Sequence, residues 1–214
     1  MATPAGDDHD VGMRPQLFAP LLLVAASACG TYSLVRPAET MPAGRVELTA
    51  GVAASRLGEV NPVFHGAVAI TDDVEVLAQN EVWNSFAELR YGILHTRRHG
   101  LALAVGAGAG RAITLVSALG EELDLDDADG GAAGLVSVAV GKQWAHLDLT
   151  LGNRTFVQTS GSFFMSSTRA VVRLILSRHV GVLLEGGGTV HAPTDQPDAS
   201  LFIAEGTLGF WVGF

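Results

Sequence analysis

The sequence predicts an all-β chain: a closed, antiparallel, up-and-down barrel of about ten strands that cross a bilayer, with eight strands as the alternative. Three observations predict it. From Arg45 onward, apolar and polar residues alternate with the period of two that marks a strand with two unlike faces. The connections between these stretches are short and long in turn, as in a barrel with tight turns at one rim and loops at the other. Finally, 48% of the residues are hydrophobic, 26 are glycine and only 16% are charged, yet no apolar run reaches the roughly 18 to 20 residues of a spanning helix.

The first strand is read from Val46, Leu48, Ala50, Val52 and Ala54, which alternate with Arg45, Glu47, Thr49 and Gly51. The next nine are expected at 63–71, 74–82, 86–95, 101–113, 134–144, 147–156, 168–177, 181–190 and 200–212. Tight turns fall at Asp72-Asp73, 96–100, Ala145-His146 and 178–180. The other connections, 56–62, 83–85, 114–133, 157–167 and 191–199, are mostly longer and hold Pro62, Pro193 and Pro197, where no ladder is interrupted. Phe64, Trp83, Phe86, Phe156, Phe163, Phe164 and Phe202 lie near the loop ends of strands, and Trp144, Phe210, Trp211 and Phe214 near the turn ends, with Tyr91 nearer a strand middle. Two aromatic belts are expected where a barrel meets two membrane interfaces.

Ahead of the barrel, 17–26 form an apolar stretch of signal-peptide length, followed by Ser27, Ala28 and Cys29. Residues 1–28 therefore read as a signal peptide, 29–44 as an anchor cysteine and linker with Pro37 and Pro42, and 45–214 as the barrel. Asp7, Asp8 and Asp10 are too acidic for the opening of such a peptide, so translation is expected to start at Met13, followed by Arg14. Cys29 is the only cysteine, which excludes an internal disulfide. Ala-Ser-Ala-Cys-Gly at 26–30 resembles a bacterial lipobox, apart from Ala26 where such motifs favour leucine; the resemblance implies acylation of Cys29. An ordinary signal peptidase site nearby is the alternative.

The last residues, Leu208-Gly-Phe-Trp-Val-Gly-Phe214, resemble the C-terminal strand of bacterial outer-membrane barrels. The resemblance implies the cell outer membrane of a Gram-negative organism, with Phe210, Val212 and Phe214 as the signal read by the barrel-assembly machinery. Ala67 to Glu75 is similar to a strand, periplasmic turn and strand of the same family. Typical members lack a lipid anchor. That departure keeps open a lipid-anchored soluble barrel that carries a small apolar ligand in the periplasm.

If one face meets lipid, the other lines the interior. In the eighth strand Ala170, Val172, Leu174 and Leu176 oppose Arg169, Arg173 and Ser177. The same parity turns Glu47, Glu75, Glu88, Arg90, Asp148, Arg154, Glu185 and Glu205 inward. Charges of both signs in so narrow a lumen are expected to pair, plugging it rather than leaving an open pore. Ala102, Ala104, Gly106, Gly108 and Gly110 give the arginines room. A polar pocket for a small ligand is the alternative.

Other clusters read more plainly. The segment 120–131, with Glu121, Glu122, Asp124, Asp126, Asp127 and Asp129, invites a calcium reading. Placing Gly130 at the invariant glycine of an EF-hand puts Leu125 and Val136 at ligand positions, so no metal is expected. A solvated outer loop fits better, one that could share divalent cations with lipopolysaccharide phosphates. His95, Arg97, Arg98 and His99, with Arg178 and His179, read as rim cations near phospholipid head groups. His65 and His191 with Ser160, Ser162, Ser166 and Ser167 show no nucleophile motif, so no enzyme is expected; a lipid-modifying hydrolase is the remote alternative. No cofactor motif is present, since the glycines at 106–110 alternate along a strand and 186–188 read as a close-packed strand segment. A net charge of -9 disfavours nucleic acid.

The expected role is structural or interactive, through the outer connections, with outer-membrane lipid as the surrounding partner. Sequencing the amino terminus of the precursor is expected to give Met13; a precursor beginning at Met1 would refute that start.

Overall fold

The computed structural model describes residues 36–56, 58, 60–81, 84–112, 131–159, 163–193 and 200–214. The expected signal peptide, Cys29, Trp83, Ser160, Ser162, Pro197 and nearly all of the acidic segment 120–131 lie outside the described residues.

Ten strands form one closed antiparallel barrel, each beside its neighbours in sequence. They are β1 Val46–Ser55, β2 Val60–Ala69, β3 Val74–Glu81, β4 Asn84–Leu94, β5 Ala102–Ala112, β6 Gly131–Gln143, β7 Leu147–Gln158, β8 Phe163–Ile175, β9 Val180–Pro193 and β10 Leu201–Gly213. The eight-stranded alternative is thereby excluded. β10 returns to β1, from Glu47 opposite Gly213 to Ser55 opposite Glu205. Phe214 finishes the seam, its N–H donating to the carbonyl of Val46 (2.8 Å) and its own carbonyl accepting from Val46 N–H (3.2 Å). Closure leaves no unpaired sheet edge.

The turn rim is compact. At 70–73, Thr71 Oγ1 accepts from the N–H groups of Asp73 and Val74, a side chain replacing a backbone acceptor in the turn. Thr96–His99 forms a single helical turn. Gly100 ends it at φ 75°, its N–H donating to Thr96 O, a left-handed position that suits glycine. Trp144 N–H reaches Leu147 O (2.7 Å), and Leu176 N–H reaches Val180 O (3.1 Å).

Sidedness is the property that positions everything else. Leu48, Leu89, Val136, Leu151, Leu174, Leu184 and Leu208 point outward and are each about half exposed. The alternate positions turn acids, arginines, threonines and small residues inward. β5 is a channel of missing side chains: a Cβ at Gly106 would stand 2.1 Å from Glu88 Oε1, and one at Gly108 would stand 2.0 Å from Ala87 O.

Four expectations are corrected. The strands reach further toward the loop rim than expected: β2 begins at Val60, β6 at Gly131 and β8 at Phe163, and β9 continues to Pro193. The segment expected as the 157–167 loop is mostly strand because its serines find partners in the sheet, Ser166 with Asn153 and Ser167 with Arg169. Pro62 lies inside β2, opposite Val52, but the β3 ladder starts only at Val63 opposite Glu81, so its missing N–H breaks no bond there. Of the expected belt aromatics, Phe86, Phe156, Phe163 and Trp211 are buried inside the barrel. They share the parity of Glu88, Arg154, Arg169 and Glu205, and parity, not distance from a strand end, sets the face. Phe64, Phe164 and Phe202 remain outward at one rim, and Trp144, Phe210, Phe214 and Tyr91 toward the other.

Gly108→Val is expected to destabilise the barrel by about 1–3 kcal/mol, because the new side chain meets the backbone of β4. Urea unfolding of the refolded protein measures this; an unchanged midpoint would show that β5 does not need the space.

Candidate functional site

The interior of the barrel gathers most of the buried charge. Among the described residues five arginines and seven carboxylates are buried, including every one of Glu47, Glu75, Glu88, Arg90, Asp148, Arg154, Arg169, Arg173, Glu185 and Glu205. A charge removed from water is tolerable only beside an opposite charge and further hydrogen bonds. Three groups meet that condition.

Nearest the turn rim, the hub is a residue outside the strands. Arg36 is 1% exposed and grips Glu75 with two nitrogens, Nε to Oε2 at 3.1 Å and Nη2 to Oε1 at 2.5 Å. Its Nη1 donates to Glu47 Oε1 at 2.9 Å. The other oxygen of Glu47 accepts from Arg173 Nη2 (2.9 Å), and Arg90 Nη1 lies 3.7 Å from Glu75 Oε2. The Arg173 guanidinium lies over the Trp211 ring, 4.5 Å from its centroid, a cation–π contact made stronger by exclusion of water. Burial disfavours the charge on Arg36, but Glu75 and Glu47 outweigh it and raise its pKa above the usual arginine value.

Mid-barrel, Arg154 Nη2 donates to Glu88 Oε2 (2.9 Å), and its guanidinium lies 4.5 Å from the Phe86 centroid. Ser137 donates to the other Glu88 oxygen, and Gln79 Nε2 donates to Glu81 Oε1 at 2.6 Å. The third group centres on Arg169, which bonds Glu205, Ser167 (2.9 Å) and Thr189 (3.0 Å), with Glu185 Oε1 at 3.7 Å. Toward the loop rim the charge gives way to Phe86, Ala133, Leu135, Phe156, Phe163 and Met165. Phe86 and Phe156 meet edge to face at 5.5 Å.

Residues 36–44, expected as linker, are a correction: 36–41 enter the barrel from its turn rim. Beyond Arg36, Ala38 N–H donates to Thr150 Oγ1 and Met41 N–H to Glu75, while Pro37 O accepts from Arg90. Thr150 Oγ1 in turn donates to Asp148 Oδ1 at 2.9 Å. At the rim Glu39 accepts from Thr96 N–H (2.8 Å) and faces His95 Nδ1 (3.2 Å), whose Nε2 faces Asp73 Oδ1 (2.7 Å). His95, expected as a head-group cation, is instead part of this lock. Arg97, Arg98, His99, Arg178 and His179 are exposed around it. A cavity of about 460 Å³ remains beside the inserted segment, lined by Arg36, Glu47, Asp148, Arg173 and Trp211 among others.

His65 and His191, expected near the loop rim, are both buried inside. His191 packs 5.9 Å from the Phe163 ring, and Ser167 is engaged by Arg169. Ser166 faces outward, away from both. Sequence reasoning missed Arg36 because a proline-flanked segment shows no period. It missed Glu81, although its parity with Glu75 was available. Phe210 on β10 and Phe214 just past its end stand outward beside β1, both more than half exposed.

Removing one partner of a buried ion pair costs about 3–5 kcal/mol. Arg169→Leu is expected at the upper end, because Glu185 and Glu205 both lose that guanidinium. Arg36→Leu is expected lower, since Arg173 and Arg90 still face Glu47 and Glu75. Urea midpoints of the two variants check the order; equal or reversed losses would contradict it.

No protein-family model matches the chain, and no curated protein sequence matches it. A solved structure described as "De novo design of transmembrane beta-barrels" is similar at 10% sequence identity and a TM-score of 0.38, covering 82% of this chain and 99% of that one. So distant a likeness carries no argument; the closed ten-stranded fold rests on its own strand pairing.

Proposed function

We propose that this chain is an outer-membrane β-barrel with a structural or surface-interaction role, closed by its interior rather than open as a pore. One observation carries the reading: the outside is greasy and the inside is ionic. Large apolar side chains are exposed on every strand, from Leu48 and Val52 on β1 to Leu208 and Phe210 on β10. A protein surrounded by water rarely exposes contiguous apolar surface beyond a few hundred Å². A bilayer removes that cost, and closed barrels are one of two folds that can span it.

The competing reading, a soluble barrel with an apolar ligand inside, needs the opposite sidedness. Its ligand space would be occupied by Arg36, Arg154, Arg169 and their carboxylates. No catalytic role is proposed. Outer-membrane lipid is the proposed surrounding partner, and Phe210, Val212 and Phe214 the proposed assembly signal, because they lie along the β1–β10 seam that closes the barrel. Contacts of the loop rim with lipopolysaccharide belong to the same proposal.

Three outcomes follow. The protein with Cys29→Ala is expected to stay with outer membranes and to run at different gel positions unheated and heated; release to the soluble fraction would contradict membrane insertion. In a planar bilayer it is expected to show no large, stable single-channel conductance, since 36–41 and the three charge groups obstruct the lumen. Leu151→Arg, near a strand middle, is expected to cost about 2–4 kcal/mol if that face meets lipid, and almost nothing if it meets water, as read from unfolding midpoints in lipid vesicles.

A further inference from the structure

On β7 and β8 the outward face carries four uncharged polar side chains side by side: Asn153 is opposite Thr168, and Thr155 is opposite Ser166. Asn153 Nδ2 donates to Ser166 Oγ and Thr168 Oγ1, both at 2.9 Å. Thr155 Oγ1 donates to Asn153 Oδ1 at 3.1 Å and lies 3.2 Å from Ser166 Oγ. The patch is an island within the apolar face. Toward the turn rim it is bounded by Leu151 and Ala170, and toward the loop rim by Val157 and Phe164. Val136 and Val138 flank it on β6, and Gly188 and Val190 on β9. The other outward polar pair joined by a hydrogen bond among the described residues, Asn80 with Ser85, sits at the ends of β3 and β4.

We propose that this island is the contact through which two copies of the chain pair in the membrane. The inference rests on the reading that this face meets lipid, where a hydroxyl with unused capacity finds no water. Among the described residues Thr168 accepts one bond in the island and donates none, and each hydroxyl has one proton and two acceptor sites. Hydroxyls and a carboxamide both give and accept, and none is charged. Two identical islands related by a two-fold axis are therefore complementary to each other, as an isologous interface requires. Relief favours close approach on the turn-rim side: Ala170 and Gly186 are paired beside the island and the space where a Gly186 side chain would stand is open, whereas the Phe202 ring covers Gly188 opposite Thr168. Small residues beside polar ones are the combination that lets membrane segments pack without a hydrophobic drive.

The test uses the full chain in lipid nanodiscs, with mass measured for the unsubstituted protein and for Asn153→Leu/Ser166→Val/Thr168→Val. The expected masses are two copies and one copy respectively, with the heat-dependent gel shift kept by both. Carrying Cys29→Ala, Thr168→Cys is expected to cross-link to its copy on oxidation, and Val76→Cys, which faces outward five strands away around the barrel, is not. A one-copy mass for the unsubstituted protein, or a two-copy mass retained by the triple variant, would overturn the pairing while leaving the membrane reading intact. Partition of the unsubstituted protein into the aqueous phase of a detergent separation would overturn the membrane reading, and the pairing with it.

Discussion

Enclosing charge in a lumen too narrow for bulk water forces each guanidinium to find a carboxylate within reach, and that constraint governs the rest of the molecule. A ring of ten strands leaves an interior that side chains nearly fill. Arg36, Arg154 and Arg169 each occupy a separate level or side of it, and each has its own acids. The small residues of β5 and Gly187 of β9 follow from the same need. At Gly187 a side chain would press on the backbone and side chain of Arg169, and at Gly106 it would displace the carboxylate that Arg154 holds. With the paired charges committed inward, aliphatic side chains dominate the outside.

The inserted segment 36–41 shows why the network is a closure as well as a scaffold. Arg36 supplies a positive charge to a lumen whose strands carry more acids than arginines, so the segment is drawn in by an imbalance that it reduces. Glu39 then fastens the rim through Thr96 and His95, and Ala43 N–H through Asp72. The chain thus enters its own barrel from the side on which the turns are short. An anchor preceding residue 36 would hold the turn rim near the membrane surface.

Much of the fold could be read in the sequence because period two is a local signal: Ala170, Val172 and Leu174 alternate with Arg169 and Arg173 whatever the rest of the chain does. Ten strands and their antiparallel order were legible from that pattern and from the short turns. The strand ends were not, because Ser166 and Ser167 are ambiguous until Asn153 and Arg169 stand beside them. Phe86, Phe156, Phe163 and Trp211 were misplaced by giving weight to strand ends over parity, which already set them on the face of the charges. Arg36 was illegible for a physical reason: its partners Glu47 and Glu75 lie 11 and 39 residues away, and no periodicity marks a segment that is neither strand nor turn.

Sidedness itself is open to direct measurement along one strand. Nitroxide labels placed singly at Ala170, Val172 and Leu174, and at Ser167 and Val171, would be read in lipid vesicles for collision with oxygen dissolved in the bilayer and with a water-soluble relaxation agent. The account predicts high oxygen accessibility at the first three, low accessibility to both at the other two, and so a clean alternation along β8. Strong collision with the water-soluble agent at Ala170, Val172 and Leu174 would contradict it.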